Sequence, residues 1–141
     1  MTTDPNPSPD TPQAPRSTGV TILLWASKLG VAVILGVAGW LKLNGNQGDI
    51  DLFTELGMEP HGRYLIGALE LAVAALVLLR QSAVYGAFLG FGIMCGAILG
   101  ELTALEEFHA IHMAIVVAIL CLVILYIRRR DAPFIGNLID W

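Results

Sequence analysis

Charge is scarce in this sequence. Lys, Arg, Asp and Glu supply 14% of its 141 residues and apolar side chains 55%, whereas an ordinary soluble domain is about one-quarter charged. With a mean hydropathy of +0.69, the composition excludes a typical soluble globule and points to one domain whose solvent is lipid. Cysteine is limited to Cys95 and Cys121, both inside apolar runs. No disulfide framework is implied, and the two read as small buried apolar side chains. Also missing are a nucleophile beside a base, a phosphate-cradling glycine loop, a zinc knuckle, a lipidation motif and an internal repeat. Nucleic acid is excluded as a partner.

What is present is a series of apolar segments. A spanning helix takes roughly 20 predominantly apolar residues, and Val20 to Leu43, Tyr64 to Leu79, Ala83 to Gly100 and Ala110 to Ile127 meet or approach that length. The predicted fold is an all-α integral membrane protein, a four-transmembrane-helix bundle over 19–130. Five of the seven prolines fall in 1–18 among Thr, Ser, Asp and Asn, which predicts a disordered tail. That tail lacks the basic start of a secretory signal, so the first span reads as an uncleaved anchor. Residues 131–141 return Phe134, Ile135, Leu138, Ile139 and Trp141 at helical spacing and predict a segment lying along the bilayer surface.

The basic residues set the expected orientation. With four spans, Arg16, Arg80 and the Arg128-Arg129-Arg130 run share one side, while Lys42 and Arg63 share the other with seven acidic residues. By the positive-inside rule both termini are cytoplasmic. Between the first two spans, Asn44-Gly45 and Gly48 mark turns, Asp49 is a candidate cap, and Ile50, Phe53 and Leu56 fall near one face. A short interfacial helix is predicted there, ended by Gly57 and Pro60. The second and third spans, joined by a few residues around Gln81 and Ser82, must be antiparallel neighbours.

Span three carries Gly86 and Gly90 as one GxxxG and Gly92, Gly96 and Gly100 as a longer series. Small residues at that spacing let helices approach backbone to backbone. Packing inside the bundle and packing against a second copy both satisfy the pattern.

Three polar features interrupt the apolar chain. Glu70 lies six residues into its predicted span, roughly 9 Å deep, on a stripe with Gly67 and Ala74. Carboxylates at such depth are paired, protonated or functional, and the structural alternative is a hydrogen-bonded Glu that fixes helix register. Lys28 lies roughly 12 Å from the other side; it either snorkels to the headgroups or points into the bundle. Its depth argues against a salt bridge to Glu70. Glu101, Glu106, His109 and His112 form the third feature, with Glu106, His109 and His112 three apart on one face. Half of a di-iron carboxylate motif has this spacing, but the chain has no second Glu-x-x-His. The competing reading is an acidic solvated turn with interfacial histidines. His112, at a depth similar to Glu70, is the expected cross-helix partner of that carboxylate.

The runs Gly36 to Leu43 (GVAGWLKL), Phe53 to Pro60 (FTELGMEP) and Gly67-Ala-Leu-Glu70, with Leu78-Leu79 before the turn at Arg80, resemble the DoxX family of small four-span membrane proteins. The methylamine-utilisation MauE proteins have a similar plan. The resemblance covers roughly Val20 to Ile127. It implies a four-helix membrane bundle in a prokaryotic cytoplasmic membrane and maps the family's recurring second-span Glu onto Glu70. It further implies an accessory subunit of a membrane redox system, in which a quinone or other apolar ligand near Glu70 and His112 is one expectation and positioning rather than covalent chemistry is the expected role. A structural scaffold, a metal-dependent membrane enzyme and, more remotely, a solute transporter are the alternatives.

Overall fold

The computed structural model describes residues 17–104 and 111–129, and among them every regular element is helical. The order is α1 (Thr18–Leu43), α2 (Gln47–Glu55), α3 (His61–Leu78), α4 (Ala83–Ala104) and α5 (Ile111–Ile127). Among the described residues, three helices are long and apolar enough to cross a membrane: α1 with 26 residues, α3 with 18 and α4 with 21 up to Thr103. The fourth, α5, is a shorter apolar helix of 17 residues.

Helix boundaries differ modestly from the sequence reading. Helix α3 begins three residues before Tyr64, and α4 runs beyond Gly100 to Ala104. Glu70 therefore lies nine residues into its helix, roughly 13 Å from its start rather than 9 Å. The short helix after α1 is present, but Asn46 and not Asp49 occupies its N-cap position, with Asp49 in the first turn. Asn46 Nδ2 donates to Asp49 Oδ2 at 2.9 Å, and a carboxylate in a first turn suits the positive end of the helix dipole.

Glycine ends α1 and α2 by the same device. Gly45 (φ 77°) and Gly57 (φ 66°) take left-handed conformations that side chains resist. After them, Asn46 N–H reaches Leu41 O at 3.1 Å and Met58 N–H reaches Phe53 O at 2.8 Å, the six-to-one bond of a Schellman motif.

The four long helices form a ring. Helix α1 packs on α3, α3 on α4, α4 on α5, and α5 closes back on α1. Successive helices run antiparallel, as short connections require. The core along the axis is Val31 and Leu35 of α1, Val73 and Val77 of α3, Met94 of α4, and Val117, Cys121 and Ile124 of α5. Helix α2 crosses one end, burying Phe53 against Gly62. The outward surface is apolar as well: Val33, Val37, Leu65, Phe88, Leu99, Ile119 and Leu122 are all exposed. Such a surface on all four long helices is what a lipid environment solvates.

Aromatic residues mark two levels. Trp25, Tyr85 and Tyr126 are exposed near one end, and Trp40 and Tyr64 near the other. Trp25 and Trp40 are separated by about 22 Å of helix, about three-quarters of the roughly 30 Å hydrocarbon layer, and amphipathic rings of this kind suit interfacial depth. The tail 1–16 and residues 130–141 lie outside the described residues.

Candidate functional site

The site begins where α1 and α3 touch backbone to backbone. A Cβ on Gly39 would stand 2.7 Å from Gly67 O, and one on Gly67 would stand 3.0 Å from Lys42 Cβ. Only glycine permits this approach. One turn on from each glycine is a charge: Lys42 follows Gly39, and Glu70 follows Gly67. The two helices are antiparallel, and side chains lean toward the N-terminus of their own helix. Lys42 therefore leans inward from the end of α1 while Glu70 leans outward along α3. They meet, with Lys42 Nζ 3.2 Å from Glu70 Oε2.

Glu70 is 3% exposed. Its Oε2 has no partner in hydrogen-bonding direction, so the contact with Lys42 is one of charge proximity. Lys42 is also shared, its Nζ lying 3.4 Å from Asp49 Oδ1 in the first turn of α2. Below this, Arg63 is clamped on Glu59: Nε donates to both carboxylate oxygens at 3.0 and 2.9 Å, and Nη2 to Oε1 at 2.8 Å. Its remaining nitrogen Nη1 donates to the carbonyl of Lys42, satisfying one of the orphan acceptors at the end of α1. The guanidinium also lies 4.5 Å from the centre of the Tyr64 ring.

A cavity of about 90 Å³ opens beside the ion pair. All four long helices line it, with Leu35, Ala38 and Lys42 from α1, Glu70 from α3, Met94 and Glu101 from α4, and Met113 and Val117 from α5. Met113 is exposed and marks where the cavity reaches the surface. Glu101 is 5% exposed, and its Oε2 has no hydrogen-bond partner. Two buried carboxylates thus line one small space, and the lysine beside Glu70 is shared with Asp49 outside it. Buried charges are costly unless compensated, so the arrangement attracts positive charge.

Other sequence-predicted residues fall elsewhere. His112 is exposed and Glu70 is paired with Lys42 instead. The reason is angular: the buried stripe of α5 is Ala114, Val117, Ala118, Cys121 and Ile124, and position 112 lies on the opposite face. Equal depth did not make the two neighbours, and α3 and α5 sit diagonally in the ring. Glu106 and His109 lie outside the described residues. Among the described residues no three His, Cys, Asp or Glu side chains form a metal-holding group.

Lys28 does not snorkel. It is buried at the opposite end of the bundle, its Nζ donating to Leu78 O at 3.3 Å and lying 4.9 Å from the Trp25 ring. Ser82 Oγ donates to Leu76 O at 3.1 Å, and Arg128 to the carbonyl of Arg80. Three side chains from α1, the connection and the end of α5 thus gather on acceptors at and just past the C-terminal end of α3, where cations also suit the helix dipole.

The glycines of α4 divide into two groups. A Cβ on Gly86 would stand 2.9 Å from Val77 N, and one on Gly90 2.9 Å from Val73 Cγ1 and 3.2 Å from Cys121 Sγ. These two pack inside the bundle. Gly92 and Gly96 meet nothing within 4 Å, and Gly100 faces Leu56 at an ordinary 3.5 Å. Cys121 is buried as expected, whereas Cys95 is exposed on the outer face.

A quinone does not fit inside this cavity. Its volume of about 90 Å³ is well below the roughly 300 Å³ at which enclosed small-molecule sites begin, and its polar groups are acids and a lysine rather than a neutral donor pair. Comparison of the chain with family models, curated proteins and solved structures returned no match.

Proposed function

We propose that the chain is a four-span protein of a prokaryotic cytoplasmic membrane that acts as an accessory, non-catalytic subunit of a membrane redox system. The observation that carries this reading is the buried Lys42–Glu70 pair beside a cavity that also holds Glu101. An intramembrane ionisable cluster facing a cavity is functional by default. The redox context comes from the resemblance to the DoxX family, and its three segments meet here: Gly36–Leu43 supplies Gly39 and Lys42, Phe53–Pro60 supplies Glu59, and Gly67–Glu70 supplies the close approach and the carboxylate. Helix α5 is the fourth span, and the basic end carrying Lys28, Arg80 and Arg128 is cytoplasmic. The subunit works by positioning and by exchanging positive charge at Glu70 and Glu101. A quinone, where the system uses one, sits outside this cavity.

The test is Glu70→Gln in the native membrane. Lower turnover of the co-purifying redox complex with unchanged amounts of the protein supports the reading. Full turnover in the variant removes it.

The competing reading is a scaffold whose polar residues serve packing alone. Lys28, Arg63 and Arg128 favour it, because each reaches a main-chain carbonyl at or just past a helix end. Glu101 does not, since its buried oxygen supports no other element.

A further inference from the structure

The geometry points to a binding site for one monovalent metal cation in the cavity between Glu70 and Glu101. This rests on the cavity being the working site, but not on the redox partner. Three observations converge. Glu101 is 5% exposed and presents an unpartnered Oε2, and Glu70 Oε2 is met only by Lys42 Nζ at 3.2 Å. Both residues line the same cavity. The lysine that would otherwise neutralise them is divided between Glu70 and Asp49.

Charge decides the valence. Among the described residues, the titratable groups lining the cavity are Glu70, Glu101 and Lys42, with Asp49 outside the lining; with all three ionised the lining sums to −1, which a single positive charge brings to zero. Calcium and magnesium favour six or more oxygen ligands, whereas here two carboxylates stand beside a repelling ammonium. Transition metals favour imidazole or thiolate, and among the described residues no His or Cys lines the cavity. About 90 Å³ holds roughly three waters at liquid density, which allows a sodium-sized ion to keep part of its hydration. The exposed side chain of Met113 sits at the entrance, and Ile34, Leu35 and Val117 form apolar walls.

The experiment uses the full chain purified in detergent in a sodium-free buffer whose cation is too large to enter. Sodium chloride is titrated by calorimetry, with the large-cation chloride as the ionic-strength control. The expected result is saturable uptake approaching one ion per chain. Glu101→Gln should abolish it, as should Ala38→Leu, which fills the cavity without altering a charge. Gly92→Leu, on the open face of α4, should leave it unchanged. Absence of saturable sodium or potassium binding by the unmodified protein overturns the proposal. So does proton uptake that is indifferent to both ions, or binding that survives in folded Glu101→Gln. Because no partner is present, loss of the redox assignment leaves this result standing, and failure here leaves the redox assignment open to its own test.

Discussion

Gly39 and Gly67 mark the point where α1 and α3 cross, with a Cβ at position 39 placed 2.7 Å from Gly67 O. This contact fixes the separation of the two helices and thereby brings Lys42 within reach of Glu70. Gly39→Ala should destabilise the bundle by about 1–3 kcal/mol, the usual range for overpacking, and Gly39→Leu should prevent assembly. Reversible unfolding in detergent or lipid discs measures the first, and loss of monodisperse protein the second. A neutral Gly39→Leu would contradict the close crossing.

The ion pair should respond asymmetrically. Removing Lys42 strands Glu70, whereas removing Glu70 leaves Lys42 with Asp49 3.4 Å away. Lys42→Met should therefore cost about 3–5 kcal/mol, as for a broken buried pair. Glu70→Gln should cost clearly less, and the double variant should recover much of the single loss. A double-mutant cycle on unfolding free energies decides it, and additive effects would show that the two side chains do not interact.

The two glycine groups of α4 should separate under the same substitution. Gly86→Leu and Gly90→Leu drive a side chain into Val77, Val73 or Cys121 and should abolish the folded bundle. Gly92→Leu and Gly96→Leu enter open space and should stay within about 0.5 kcal/mol of the unmodified protein. Size-exclusion profiles and melting curves distinguish these outcomes. Collapse of Gly92→Leu would mean that this face is packed in the native membrane.

Orientation is testable by labelling. With Cys95 and Cys121 replaced, single cysteines at Ser17 and Arg129 should react with an impermeant maleimide only from the cytoplasmic side. A cysteine at Glu55, exposed on α2, should react only from the other side. Opposite accessibility of positions 17 and 129 would rule out four spans.

Composition and apolar run length made the helical membrane character legible, because a lipid solvent demands internally bonded helices of a minimum length. Gly45 and Gly57 likewise announced the ends of α1 and α2, since their left-handed conformations are local properties of the chain. The partner of Glu70 was not legible in the same way. Lys42 reads as a headgroup-level cation when depth is counted along Cα positions, and His112 reads as the nearer group. The only signal was the matched spacing of Gly39 to Lys42 and Gly67 to Glu70, and it acquires meaning once the glycines are known to touch.

By itself, then, the sequence determined that this chain forms apolar helices, where the first two stop, and that charges sit inside them, because those outcomes follow from side-chain solvation and local backbone freedom. Only the tertiary structure decided that Glu70 faces Lys42, that Glu101 joins them across a cavity, that Lys28 is buried on Leu78 O, and that Gly92 and Gly96 face outward. Those outcomes depend on the rotation of each helix about its axis and on the lean of long side chains. Close packing of helices distant in sequence sets both.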